Sequence, residues 1–113
     1  MDNFHGFTFG YRIPTKVTYD TMLDKADDEL YDYLIEHTWA IDDHVRILGV
    51  DILITDDTAE NAVYDISAIN KILNNKAKDV DDFIKRVSDT IRIYNDTIPV
   101  PLLPQLYYVE ITL

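Results

Sequence analysis

A chain of 113 residues with a net charge of −11 and no cysteine limits both fold and chemistry before any motif is read. The length fits one domain, residues 1–113, since domains most often run to about 100–150 residues. With 47% apolar and 12% aromatic residues there is material for a packed core and too little polarity for intrinsic disorder. Lack of cysteine excludes disulfides, thiolate metal sites and thiol nucleophiles, and the acidity disfavours direct contact with nucleic acid or an anionic membrane.

The opening MDNFHGFTFG has neither the basic region nor the apolar core of a signal peptide. No apolar run approaches the roughly 18–20 residues that span a bilayer, so a cytoplasmic protein is expected. Phe7, Phe9, Tyr11 and Ile13 alternate with smaller or polar residues, a strand pattern stopped by Pro14. Thr18 offers a helix cap, and Tyr19, Met22, Leu23, Ala26, Leu30 and Leu34 recur at helical spacing, predicting one helix over about residues 19–37.

HTWAI then adds a short strand or a loop that buries Trp39, and VRILGVDILI at 45–54 reads as a strand covered on both faces. Gly49 within it marks a bulge or a hairpin division. Thr55 to Thr58 offers caps for a helix with Ala59, Ala62, Val63, Ile66, Ile69 and Leu73 on one face. Asn74-Asn75 predicts a break. A further helix capped by Asp79 follows, with Val80, Phe83, Ile84, Val87, Ile91 and Tyr94 inward. Three prolines make IPVPLLPQ irregular, and Tyr107, Val109, Ile111 and Leu113 alternate in a last strand. The expected fold is α+β: a small, mainly antiparallel sheet of three or four strands packed in two layers against three helices, in the order β-α-β(β)-α-α-β.

Charge is divided unevenly along the chain. Residues 1–65 hold 15 acids and 4 bases, whereas residues 66–113 hold six of each, so the first part carries the whole net charge. On a single helix Asp20, Asp24, Asp28, Asp32 and Glu36 form one i, i+4 row, flanked by Asp27 and Glu29. Like charges so placed cost about 0.2–0.5 kcal/mol per pair. Such a row spans roughly 24 Å with about 6 Å between carboxylates, close to the spacing of alternate phosphates on a DNA strand, about 6.8 Å.

These observations point to a basic protein surface as partner, in the sharpest case that of a nucleic-acid-binding enzyme, with Asp20, Asp24, Asp27, Asp28, Asp32 and Glu36 supplying attraction and Tyr31 or Tyr33 a contact anchor. Small acidic proteins with which phages block restriction enzymes and nucleases act as DNA mimics by this logic, and immunity proteins use the same electrostatics. The likeness is one of mechanism, with no motif behind it. An acidic row opposite an apolar stripe also suits any solvated amphipathic helix.

Two other classes stand beside the inhibitor. In one, the acidity serves solubility and the apolar edges around IPVPLLPQ and the terminal strands make the contacts of a structural or assembly subunit, such as a phage particle component, with homo-oligomers open; Val100, Leu102 and Leu103 are either exposed there or laid over the sheet edge. In the other, Asp42, Asp43, Asp51 and Asp56 hold Mg²⁺ or Mn²⁺ for catalysis. Simpler roles are available: Asp42-Asp43 as a turn, Asp51 beside the Gly49 irregularity, Asp56-Asp57 as caps. His5, His37 and His44 lack ligand spacing, the three glycines form no phosphate loop, and Ser67 and Ser88 have no triad context. No catalytic residue, metal or cofactor is expected.

Overall fold

Four strands and three helices alternate as β-α-α-β-β-α-β in the computed structural model, which describes residues 3–56, 65–95 and 103–112. The strands are β1 (Asn3–Ile13), β2 (Thr38–Ala40), β3 (Arg46–Asp56) and β4 (Gln105–Thr112). They form one antiparallel sheet in the order β2-β3-β1-β4, with β2 and β4 at its edges. The helices are α1 (Lys16–Lys25), α2 (Asp28–Glu36) and α3 (Ile66–Asn95). The α+β class, the antiparallel sheet and the number of helices agree with the sequence, but the helices are divided differently.

The expected first helix is two. Thr15, not Thr18, caps α1, its hydroxyl accepting from the Thr18 N–H at 3.1 Å. α1 stops because Ala26 is extended (ψ 144°), and Asp27 starts α2 by accepting from the Leu30 N–H at 2.8 Å. The break has a local cause. Asp27, Asp28 and Glu29 sit at the N-terminus of α2, where the macrodipole favours negative charge, instead of mid-helix where it does not.

Conversely, α3 runs for 30 residues straight through Asn74-Asn75. Both asparagines are exposed, so each costs only a fraction of a kcal/mol, about 0.5, in helix propensity. The 3–4 spacing of Ile66, Ile69, Leu73, Val80, Phe83 and Val87 carries the helix across them. Asp79 lies inside α3 and caps nothing; Asp65 accepts from the Ala68 N–H at 2.8 Å. The expected helical positions 59, 62 and 63 fall outside the described residues.

Both faces of the curled sheet bury apolar residues, as the unbroken run in β3 requires. On one face Tyr11, Ile13, Leu48 and Val50 meet Tyr19, Met22, Leu34, Phe83, Val87 and Ile91 from the helices. On the other, Ile47, Val109 and Ile111 pack with Trp39, Val45 and Tyr107. Gly10 and Gly49 face each other across β1 and β3. A methyl group on Gly10 would land on the Leu48 carbonyl oxygen, and one on Gly49 on that of Phe9, so the close approach of the two strands needs glycine at both. The register shift lies a little further along, between Phe7 and Thr8, where Ile52 is the extra residue of β3.

Candidate functional site

The break between α1 and α2 corrects the acidic row. Asp20 and Asp24 belong to α1, while Asp28, Asp32 and Glu36 keep i, i+4 spacing on α2. All five are exposed, but they do not form one line on one helix. The phosphate-like spacing therefore survives only along the three acids of α2. Asp27 is also exposed and serves as the α2 cap, a structural role. Of the two expected anchors, Tyr31 is exposed (44%). Tyr33 is half-buried and held: its ring lies 4.1 Å from that of His37 and 6.4 Å from that of Phe83, with the Arg86 guanidinium 4.6 Å from its centre.

These contacts outline a cleft of about 460 Å³ between the C-terminal end of α2, the adjoining β2–β3 edge and the middle of α3. Four carboxylates line it: Glu36 from α2, Asp51 from β3, and Asp79 and Asp82 from α3. Tyr33, His37 and Trp39 supply aromatic walls, and among the described residues Arg86 is the only Lys or Arg in the lining. Burial pushes the Tyr33 phenol up; Arg86 draws it down, and Asp82 and Asp79 push it up. The helix ends are fixed by backbone contacts. His37 caps α2, its Nδ1 is 2.8 Å from the Tyr33 carbonyl, and its own carbonyl accepts from the Gly49 N–H at 2.8 Å.

Asp51 has a partner set that explains its place in an apolar strand. One carboxylate oxygen accepts from the Trp39 indole N–H at 2.7 Å and from the Thr8 hydroxyl at 2.8 Å. It ties the edge strand β2 and the central strand β1 to β3 from one side of the sheet. Asp42 makes the turn expected of it, accepting from the His44 and Val45 N–H groups at 2.7 Å each, bonds that hold its carboxyl below the ordinary range. Asp56 ends β3 opposite Phe4. Among the described residues no group of three or more His, Asp or Glu could hold a metal ion.

Comparison of the chain with protein-family models, with curated proteins and with solved structures gives no match. Among the described residues no helix is long and apolar enough to cross a membrane. The cleft brings together Tyr33 and Glu36 from the expected set and leaves Asp20, Asp24, Asp27, Asp28, Asp32 and Tyr31 outside its lining. It adds Trp39, Asp79, Asp82 and Arg86, which the sequence reading had not joined to α2. Their local signal is the i, i+3 pair Asp79–Asp82 followed by Arg86 one turn on, but only the docking of α3 beside α2 makes it part of a site.

Proposed function

We propose that this chain is a non-catalytic binding protein that docks its acidic α1–α2 face and the adjoining α2–α3 cleft on a basic protein surface. The observation that carries this reading is that acids from three elements, Glu36, Asp51, Asp79 and Asp82, line one cleft with aromatic walls. A Lys or Arg side chain entering it gains both charge attraction and a ring face. Arg86 over Tyr33 is the intramolecular example of that contact. The exposed acids Asp20, Asp24, Asp28 and Asp32 then steer the approach. An inhibitor of a nucleic-acid-binding enzyme, acting as a DNA mimic, is the sharpest form of the proposal.

The test uses an arginine-rich peptide as probe, with backbone amide shifts followed by NMR at low and high salt. Shifts centred on Glu36, Asp79 and Asp82 that fade steeply with salt are expected. Asp79→Lys with Asp82→Lys abolishes them, and Asp24→Lys, Asp28→Lys and Asp32→Lys together weaken them, with the fold intact. Binding that is unchanged in both variants rules out this face.

A further inference from the structure

We propose that two copies of this chain pair through the outer edge of β4 and the apolar surface beside it, a contact independent of the acidic face. Three observations meet on this side of the molecule. β4 is paired with β1 from Gln105 to Thr112, and among the described residues no strand covers its other edge. Every second residue of such a strand points its N–H and C=O outward, a template for another strand. The usual protections against that are lacking: β4 contains no Lys, Arg or Pro, and its one charge is Glu110.

The second observation is the apolar surface next to that edge. Leu106 and Tyr108 are 56% and 59% exposed, and Phe7, which meets Tyr108 edge-on at 5.7 Å, is 40% exposed. Leu106 is also one wall of a groove of about 400 Å³ whose other walls include Phe9, Ile52, Leu73 and Val80. The groove exists because α3 packs on the core through its C-terminal half while Ile66, Ile69 and Leu73 stay exposed at its other end. Phe7, Leu73, Leu106 and Tyr108 together offer on the order of 400 Å² of apolar surface. That is roughly half of the 800 Å² per partner of a specific interface, before the strand backbone is counted.

The third observation selects the occupant. An edge strand is complementary to itself about a two-fold axis, which is how one patch can serve both subunits. Residues 66–113 have no net charge, whereas residues 1–65 carry −11. Two copies meeting through the groove and β4 use the segment without net charge, with Asp81 and Glu110 as the acids at that contact, whereas contact through α1 and α2 would set rows of like charges together. A second copy is the partner this surface fits.

Sedimentation velocity over a dilution series decides it. The full chain at about 100 µM, above the micromolar range of ordinary specific contacts, is expected to sediment at twice the mass of one 13.1 kDa chain and to stay dimeric in high salt. Leu106→Lys with Tyr108→Lys is expected to give a monomer with an unchanged circular dichroism spectrum. Leu73→Glu, at an exposed site on α3, is to weaken the dimer at least tenfold and serves if the strand variant does not fold. Hydrogen exchange should slow in β4 as concentration rises. Asp28→Lys with Asp32→Lys should leave the dimer in place. A wild-type monomer at that concentration overturns the proposal. So does a dimer that keeps its affinity in the folded β4 or Leu73 variants, or one lost in the acidic-helix variant.

Discussion

Removing the Asp51 carboxylate tests how the sheet is held together. Asp51→Ala strips the acceptor from two donors at once, the Trp39 indole and the Thr8 hydroxyl. Hydrogen bonds to a charged acceptor contribute about 1.5–3 kcal/mol, and a buried donor left unpaired costs about 1–3 kcal/mol. Thr8 is fully buried and has no water to turn to; Trp39 is half-buried and recovers some. The expected loss is therefore about 2–4 kcal/mol, a large part of the 5–15 kcal/mol typical of a domain. Trp39 is the only tryptophan, so its fluorescence during urea denaturation reports the edge strand directly. With a slope of about 1–3 kcal/mol per molar urea, the midpoint should fall by at least about 0.7 M. Asp51→Asn keeps one acceptor and should cost roughly half as much. Thr8→Val combined with Asp51→Ala should cost less than the two changes added, since both remove the same bond. A stability for Asp51→Ala within about 0.5 kcal/mol of the wild type would refute the assignment.

Gly10→Ala drives a methyl group into the Leu48 carbonyl and should cost more than about 4 kcal/mol, seen as lost chemical-shift dispersion in an amide NMR spectrum. Asp27→Ala removes the α2 cap and should lower stability by about 1 kcal/mol, measured by chemical denaturation; no loss would mean that the α1–α2 break rests on packing alone. Tyr11, Tyr19 and Tyr33 are all raised above the ordinary value of 10.0, chiefly by burial. The folded state holds these protons more tightly than the unfolded chain. Their contribution is complete below the unfolded value and is lost as pH rises through the higher folded values, so phenolate absorbance and unfolding should rise together above about pH 10.

Much of the fold is legible because hydrophobic spacing speaks for long elements. Alternation in β1 and β4, and the unbroken apolar run of β3, identify all three long strands. The two helix errors have opposite origins. The stripe from Tyr19 to Leu34 is consistent with one helix, yet the capping strength of Asp27 and the crowding of acids at 27–29 favour a new start there. Asn74-Asn75 reads as a break by composition, yet an apolar stripe on both sides outweighs two exposed asparagines. Leu103 is exposed (76%) instead of lying over the sheet edge, while Val100 and Leu102 lie outside the described residues. The cleft was half legible. Glu36 and Tyr33 are visible as part of an acidic helix, but nothing in the sequence says that Asp79 and Asp82, some 45 residues away, stand across from them.

The helix break also changes what the acidic half means. On one long helix the like charges carried a cost that called for a functional cause. With α2 starting at Asp28, three of them become favourable partners of a helix N-terminus and one of the three is its cap. What still lacks a local reason is narrower: Asp20 and Asp24 in the middle and last turn of α1, Asp32 in the middle of α2, Glu36 in its last turn at the cleft, and Asp79 and Asp82 across that cleft on α3. Of these, Glu36, Asp79 and Asp82 line the cleft, and they are the ones on which a basic partner should depend most. The pairing proposed at β4 makes the opposite demand, since it rests on apolar side chains and strand backbone. Salt therefore separates the two surfaces: it weakens an encounter at the cleft and spares pairing at the strand edge.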